Sequence, residues 1–337
     1  MRLAGPILKT TTSLLALAAL CTALQPAQAE AVFTKDTTEG QTLSLPIYSW
    51  SDAQSPAKAI IVAVHGVTLY SANFNETAKH LASDGYPVYA MDMRGFGRWQ
   101  TESATFSGDS QIHYTQSQQD LETLVKKLRS EFPGKKIYLL GESIGANMGI
   151  WLASKDPDLI DGLILASPCI KACFHPTPRM VPDFFRGLMH PNTKHQTRPY
   201  IKPYISDDKR VTAEYFADPI IMHKMSPVEM FKSLKTNTRS LLAAKDIPTQ
   251  FPILIVAGKR DKIYHADAIP LFLQQIGAEN TTVVIEEKKG HILLETKYVE
   301  PKILSVIDTW LAKHVTVKPE KPEEISSAAQ PLAEMNP

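Results

Sequence analysis

Short apolar runs rich in β-branched residues recur along the chain, and turn signals bound each of them. Continuous apolar runs are typical of strands that are buried on both faces of a parallel sheet. They predict six core strands, at residues 59–64, 87–91, 136–140, 163–166, 253–257 and 282–285. Residues 42–50 alternate more between apolar and polar positions, which indicates an antiparallel edge strand.

Helical patterns lie between these runs. Residues 117–131 place Leu121, Leu124 and Leu128 at spacings of three and four, which forms one apolar helix face. The other predicted helices cover residues 74–83, 146–154, 266–276 and 299–314. This alternation of strands and helices predicts an α/β fold with a mostly parallel, doubly wound sheet.

Residues 168–250 interrupt the alternation, because they contain recurrent prolines and no strong strand. The sequence Ser226-Pro227-Val228-Glu229 has the pattern of a capping box with proline at the first helical position. A structureless loop of this length is rare in a compact domain. We therefore expect a helical cap, inserted between core segments 30–167 and 251–315. The proline-containing, polar residues 316–337 are interpreted as a disordered tail.

The first 29 residues have the pattern of a secretory signal peptide. Arg2 and Lys9 precede an apolar stretch at 12–24, which is followed by Ala27-Gln28-Ala29. The stretch is shorter than the ~20 residues that span a bilayer. We expect cleavage after Ala29 and export to the periplasm or the medium. An uncleaved anchor and a lipoprotein site at Cys21 are the alternatives.

Charge and cysteine content narrow the function classes. The formal net charge of +1 becomes −1 once the signal peptide with its two basic residues is removed. A balance so close to zero argues against a broad nucleic-acid surface. Cys169 and Cys173 remain in the mature chain. In an oxidising compartment they are candidates for a disulfide, and free thiols or a metal site near His175 are the alternatives.

One motif points to nucleophilic catalysis. Gly141-Glu142-Ser143-Ile144-Gly145 has the pattern G-x-S-x-G, directly after a predicted strand and before a predicted helix. Such a sharp turn exposes the serine hydroxyl beside a helix N-terminus, and the flanking glycines leave room for it. The motif predicts that Ser143 is a nucleophile.

A serine nucleophile needs a base, and the base needs an acid that orients it. Asp261 follows the predicted strand 253–257, and His291 follows the strand 282–285. Both lie at the carboxyl edge of the sheet, where open α/β sheets hold their sites. We therefore predict a triad of these residues with Ser143. The backbone N–H groups of Val67 and Ile144 are the predicted oxyanion hole, with His65 organising the first of these loops.

Five motifs together resemble the α/β-hydrolase superfamily: HG at 65–66, DMRGFG at 92–97, GESIG at 141–145, GKRD at 258–261 and GH at 290–291. The resemblance is greatest to the branch of monoacylglycerol lipases, lysophospholipases and serine aminopeptidases, and it covers about residues 40–315. It implies the same triad and oxyanion donors, and no metal or organic cofactor.

One segment departs from the family pattern, and a second one needs its own interpretation. The family often has a small residue soon after HG, whereas this chain continues with Val67-Thr68-Leu69-Tyr70. The segment DMRGFG lacks the G-x-G-x-x-G order of a dinucleotide site. It is interpreted as a structural turn in which Asp92 and Arg94 fix loops.

The predicted function is an exported serine hydrolase that cleaves carboxylic esters through an acyl-enzyme. The expected substrate is a small-molecule or lipid ester, such as a monoacylglycerol or lysophospholipid, and transient contact of the cap with a membrane surface is compatible with it. One set of apolar cap residues has two interpretations: it lines an acyl site, or it forms the core of the cap. These residues are Met180, Val181, Phe184, Phe185, Leu188 and Met189.

Other functions remain open on the same fold. An aminopeptidase would need an acidic group in the cap to hold the substrate ammonium, and Asp207, Asp208 or Glu214 are the candidates. A non-catalytic binding protein is the alternative from a different class, and a complete triad argues against it. Cofactor-free haloperoxidase or C–C bond chemistry would use the same three residues.

Overall fold

The computed structural model describes residues 31–52, 56–106, 108–173, 187 and 189–315. The predicted signal peptide, at 1–29, and the predicted tail, at 316–337, lie outside the described residues.

The described strands are β1 (Val32–Thr34), β2 (Ile47–Ser51), β3 (Ile60–Val64), β4 (Val88–Met91), β5 (Ile137–Glu142), β6 (Gly162–Ala166), β7 (His195–Gln196), β8 (Lys224–Met225), β9 (Ile253–Gly258) and β10 (Thr281–Glu286). Eight of them form a sheet at the centre of the molecule, in the order β1-β2-β4-β3-β5-β6-β9-β10. Pairing is parallel from β4 to β10, whereas β2 runs antiparallel to β1 and β4. The short strands β7 and β8 form a separate antiparallel pair.

Helices connect the strands. They are α1 (Thr38–Leu43), α2 (Asn75–Ser83), α3 (Arg98–Thr101), α4 (Tyr114–Glu131), α5 (Ile144–Lys155), α6 (Arg198–Ile201), α7 (Lys209–Ala217), α8 (Pro227–Ala243), α9 (Ile269–Gln275) and α10 (Pro301–Val315). The six predicted core strands and five predicted core helices are confirmed, with ends that differ by at most three residues. The mostly parallel α/β fold is therefore confirmed.

The prediction for residues 42–50 is partly wrong. The strand is antiparallel, but it begins only at Ile47, and β1 pairs outside it, so it is not the edge. The preceding residues form α1 instead, because the Thr37 side chain caps that helix by accepting from the Gly40 N–H. Ser44 ends the helix in the left-handed conformation.

Both faces of the sheet are buried, which explains the continuous apolar runs. Along β3, Ile60 and Val62 belong to one hydrophobic cluster, whereas Ile61 and Ala63 belong to a second. Successive side chains of a strand point to opposite faces. Each face therefore needs its own set of apolar residues, and no polar alternation remains.

The cap lies in the chain between β6 and β9 and contains α6, α7, α8 and the β7–β8 pair. Its longest helix, α8, begins at the predicted capping box. The Ser226 hydroxyl accepts from the Glu229 N–H, the Glu229 carboxylate accepts from the Ser226 N–H, and Pro227 is the first helical residue. The capping-box prediction is confirmed.

Loss of the N-cap side chain of Ser226 should weaken α8. Ser226→Ala deletes the acceptor for the Glu229 N–H, so we expect it to lower the free energy of unfolding by about 1 kcal/mol in urea titrations. The matched control is Ser305→Ala, at an exposed position inside α10, with an expected change within about 0.5 kcal/mol. Equal stabilities of the two variants would contradict the capping role.

Candidate active site

The turn between β5 and α5 holds Ser143 in a strained conformation, with φ 56° and ψ −120°. Glycines flank it because there is no space for side chains. A Cβ on Gly145 would lie 1.9 Å from the Val64 carbonyl oxygen, and one on Gly141 would lie 2.3 Å from the Gly145 backbone. A non-glycine residue at positive φ is a conformation that proteins retain mainly at functional sites.

The structure brings the three predicted triad residues together. His291 Nε2 lies 3.0 Å from Ser143 Oγ, and His291 Nδ1 lies 2.7 Å from Asp261 Oδ2. The other oxygen of Asp261 accepts from the N–H groups of Ile263 and Tyr264, at 2.7 and 3.0 Å. These bonds fix the carboxylate, so that only Oδ2 faces the imidazole.

The local electrostatics favour a proton on His291. Burial on its own lowers the pKa of this imidazole, but the Asp261 carboxylate outweighs it and holds the pKa above its ordinary value. Burial likewise raises the pKa of Asp261, and the charge and hydrogen bond of His291 outweigh this effect and lower it. The carboxylate is therefore placed to stabilise an imidazolium.

The two predicted oxyanion residues, Val67 and Ile144, line the same cavity as Ser143. Ile144 is the first residue of α5, where an N–H group has no acceptor within the helix. Among the described residues, none accepts a hydrogen bond from the N–H of Val67 or Ile144. The structure thus leaves both predicted donors available beside the serine.

The loop that carries Val67 is fastened to the cap and to the core. Thr68 adopts a left-handed conformation, and its hydroxyl lies 2.5 Å from the Tyr215 hydroxyl of α7. The fully buried His65 ring lies 2.8 Å from the Gly66 carbonyl oxygen through Nδ1 and accepts from the Met93 N–H through Nε2. His65 organises this loop, as predicted.

The DMRGFG segment has the structural role that the sequence indicated. Asp92 accepts from the N–H groups of Ser71 and Arg98, both at 2.8 Å, and so joins two loops. Arg94 pairs with Asp120 of α4 at 2.6 Å. Both side chains are therefore committed to loop positioning.

Cys169 and Cys173 are free thiols, so the disulfide alternative is wrong. Cys169 instead lies beside the serine, with its sulfur 3.5 Å from Ser143 Oγ. Burial raises the pKa of this thiol to about 12, which keeps it protonated. The candidate metal ligand His175 lies outside the described residues.

One cluster in the described part of the chain has the spacing of a metal site. Ligand atoms of His80, Asp84 and Asp308 lie within 4.8 Å of one another. His80 already pairs with Asp308 at 2.8 Å. His80 lies in α2, Asp84 follows it and Asp308 lies in α10, and none of the three lines the cavity at Ser143.

An apolar cavity of about 220 Å³ lies above Ser143 and His291. Its cap side is formed by Ile201, Ile205, Met225, Met230 and Leu234. These residues differ from the acyl-site candidates of the sequence. Met189 is 76% exposed and does not line the cavity, and Met180, Val181, Phe184, Phe185 and Leu188 lie outside the described residues.

Two buried carboxyl groups at the site were missed by the sequence reasoning. Glu142 precedes the serine, and Glu295 lies four residues after His291; both line the cavity and are nearly inaccessible to solvent. An acidic residue inside a G-x-S-x-G turn, with a second one close to the histidine, was the available signal.

None of the described helices has the length and apolar character needed to cross a membrane.

The buried imidazole of His65 should make the fold sensitive to acid. Burial lowers its pKa from about 6.5 to about 4, so between these values the unfolded chain binds the proton more strongly. The stability that the fold gains from keeping His65 neutral is complete above pH 6.5, and it is lost as the pH falls towards 4. From the linkage relation we expect the loss at pH 5, relative to pH 7, to be about 2 kcal/mol.

The measurement is urea unfolding at pH 7 and pH 5. His65→Gln should reduce the difference in the free energy of unfolding between pH 7 and pH 5 by about 2 kcal/mol. The exposed control His190→Gln should leave this difference unchanged. If His65→Gln keeps the wild-type pH dependence, His65 is not the group responsible.

Comparison with known proteins agrees with this geometry. A family model described as "Serine aminopeptidase, S33" matches residues 55–297. The monoglyceride lipase homolog of monkeypox virus is 26% identical over 267 residues, covering 79% of this chain and 93% of the viral protein. The human monoglyceride lipase is 24% identical, with 78% and 85% covered.

Solved structures share the fold. A soluble variant of the Saccharomyces cerevisiae monoglyceride lipase, in complex with a substrate analog, has a TM-score of 0.66 at 19% identity and covers 87% of this chain and 98% of its own. The Paleococcus ferrophilus monoacylglycerol lipase has a TM-score of 0.63 at 20% identity, with 80% and 99% covered. Together with the family model, which spans well over half of the chain, these matches show that the chain belongs to the serine aminopeptidase (S33) family of α/β-hydrolases, in its monoacylglycerol lipase-like branch.

Proposed function

We propose that this protein is an exported serine hydrolase that cleaves lipid-like carboxylic esters, such as monoacylglycerols or lysophospholipids, through an acyl-enzyme. The observation that carries the proposal is the hydrogen-bonded series Ser143–His291–Asp261 beneath an apolar cavity. Such a series generates a nucleophilic alkoxide where an acyl chain has an apolar site to occupy.

In the proposed reaction, Ser143 Oγ attacks the ester carbonyl while His291 Nε2 takes the hydroxyl proton. Asp261 keeps the other ring nitrogen protonated and stabilises the imidazolium. The N–H groups of Val67 and Ile144 bind the negative oxygen of the tetrahedral intermediate. His291 then gives its proton to the departing alcohol, and water hydrolyses the acyl-enzyme by the reverse proton transfers.

The surroundings of the site support a lipid-like substrate. Met230 and Leu234 of α8 line the cavity and are also more than half exposed, and Phe231 beside them is 64% exposed. Apolar surface therefore continues from the cavity to the outside, which suits a substrate with an acyl chain and transient contact with a lipid surface. Several relatives bear the name monoglyceride lipase.

The peptidase alternative has weaker support. Asp207 pairs with Lys262 at 2.8 Å, Asp208 pairs with Arg210 at 2.7 Å, and Glu214 accepts from Thr296 and Lys297. None of these three acidic residues lines the cavity. These carboxylates already have partners in the cap or in the core, and they are not positioned to receive a substrate ammonium.

Ser143→Ala should abolish ester hydrolysis. We expect kcat for p-nitrophenyl esters to fall by at least about 10³-fold, because the nucleophile is lost while the cavity persists. The wild type should react with a fluorophosphonate probe and the variant should not. Ser154→Ala, on the same helix α5, is the control and should retain both activities. Hydrolysis that survives in Ser143→Ala would contradict the proposal.

A substrate panel separates the alternatives. Monoacylglycerols and lysophospholipids of several chain lengths should be cleaved faster than aminoacyl p-nitroanilides. Serine-dependent cleavage of the anilides alone would favour the aminopeptidase. Folded protein that neither reacts with the probe nor hydrolyses any compound would favour a non-catalytic binding protein.

Export is the second part of the proposal, and it is supported by the sequence pattern of residues 1–29. We expect N-terminal sequencing of the exported protein to begin at Glu30. Ala29→Leu removes the small residue at the cleavage position and should leave the longer precursor. A mature protein that begins upstream of Ala27, or one retained whole in the cytoplasm, would contradict export through this signal.

A further inference from the structure

Two carboxyl groups are buried side by side beneath the site. Glu142 is the last residue of β5 and is 1% exposed, and Glu295 is 3% exposed. The Glu142 carboxylate accepts from the backbone N–H of Glu295 at 2.9 Å, so the two carboxyl groups lie close together. Within the described residues, no lysine, arginine or histidine forms an ion pair with either. Two adjacent carboxylates without an ion-paired cation are very unfavourable away from water, which favours retention of one proton by the pair.

The hydrogen-bond donors around the pair decide where the proton lies. Glu142 accepts from three successive backbone N–H groups, those of Leu293 at 2.5 Å, Leu294 at 3.1 Å and Glu295 at 2.9 Å. Three such donors stabilise a carboxylate. Among the described residues, the Glu295 carboxyl group accepts only from the Gly66 N–H, at 2.9 Å. Burial raises the pKa of both groups, and at Glu295 the Glu142 charge adds to it, so that the pKa of Glu295 is well above its ordinary value. The uneven set of donors therefore favours the proton on Glu295.

The pair joins the three loops that form the proposed active site. Glu142 precedes Ser143 and binds the loop that follows His291. Glu295 belongs to that loop and binds Gly66, which precedes the oxyanion donor Val67. The approach is close, since a Cβ on Gly66 would lie 2.9 Å from the Glu295 carboxyl oxygen.

We propose that Glu142 and Glu295 share one proton and act together as positioning residues that set the Val67 N–H and the His291 imidazole relative to Ser143. The inference rests on the proposed function, because it assigns these residues to acyl transfer. The remaining charge on Glu142 also lies close enough to His291 to favour its imidazolium.

Glutamine and leucine at position 295 test the shared proton. The Glu295→Gln amide can accept from Gly66 and donate to Glu142, as the protonated acid does, so we expect kcat to stay within about threefold of the wild type. Glu295→Leu has a similar size and no polar atom. It frees the oxyanion loop, and kcat should fall about 100-fold, as it does when one oxyanion donor is lost, while KM changes less than threefold.

The matched control is Glu287→Gln, at an exposed position, and it should change neither constant. Thermal unfolding shows whether each variant is folded. If Glu295→Gln is as damaging as Glu295→Leu, or if folded Glu295→Leu keeps full kcat, the inference is wrong. Ser143→Ala separates the two levels: activity that persists there contradicts the proposed function itself, whereas an inactive Ser143→Ala with a fully active Glu295→Leu contradicts only the positioning role.

Two further measurements do not depend on the leucine variant. The titratable groups that interact with the pair are His291 and the Tyr215 hydroxyl of α7. Once the pH is high enough to remove the shared proton, two negative charges face each other, so the wild-type kcat should fall with rising pH and the Glu295→Gln kcat should not. Infrared spectra at pH 7 should show a protonated carboxyl band that Glu295→Gln removes and Glu287→Gln retains. Identical alkaline profiles, or no such band, would overturn the assignment.

Discussion

The close contact between α5 and the end of β3 is the constraint on which the site depends. Gly145 packs so tightly against the Val64 carbonyl that no Cβ fits between them. This contact allows the chain to turn sharply from β5 into α5 and holds Ser143 at positive φ. It also brings the first N–H of α5 beside the loop after β3, so one packing contact sets both the serine and the two backbone groups proposed to bind the oxyanion.

The parallel sheet brings the other groups to the same edge. Asp261 follows β9 and His291 follows β10, and both β5 and β9 pair with β6 in one parallel arrangement. His291 therefore lies at hydrogen-bond distance from Ser167 and Ser143, although these residues precede it by 124 and 148 positions in the chain. The cap then contributes apolar side chains to the cavity over this edge.

The sequence allowed the core and the triad to be predicted because both depend on local patterns. Buried strands such as β3 are continuous apolar runs, and Ser143, Asp261 and His291 each follow such a run directly. The start of β2 was misplaced because a side-chain cap at Thr37 overrides the alternating pattern after it. The cavity lining and the free thiols were not predictable, since they depend on how cap segments pack over the core.

The carboxyl pair shows why a buried charge can remain invisible in a sequence. Glu142 and Glu295 are separated by 153 positions, so the motif around each one does not show that the two side chains meet. Their proximity arises only when the loop after β10 folds over the turn between β5 and α5. There the pair replaces water as the partner of four backbone N–H groups. A single proton makes this arrangement tolerable, because it leaves one negative charge where three donors converge and a neutral acid where only one does.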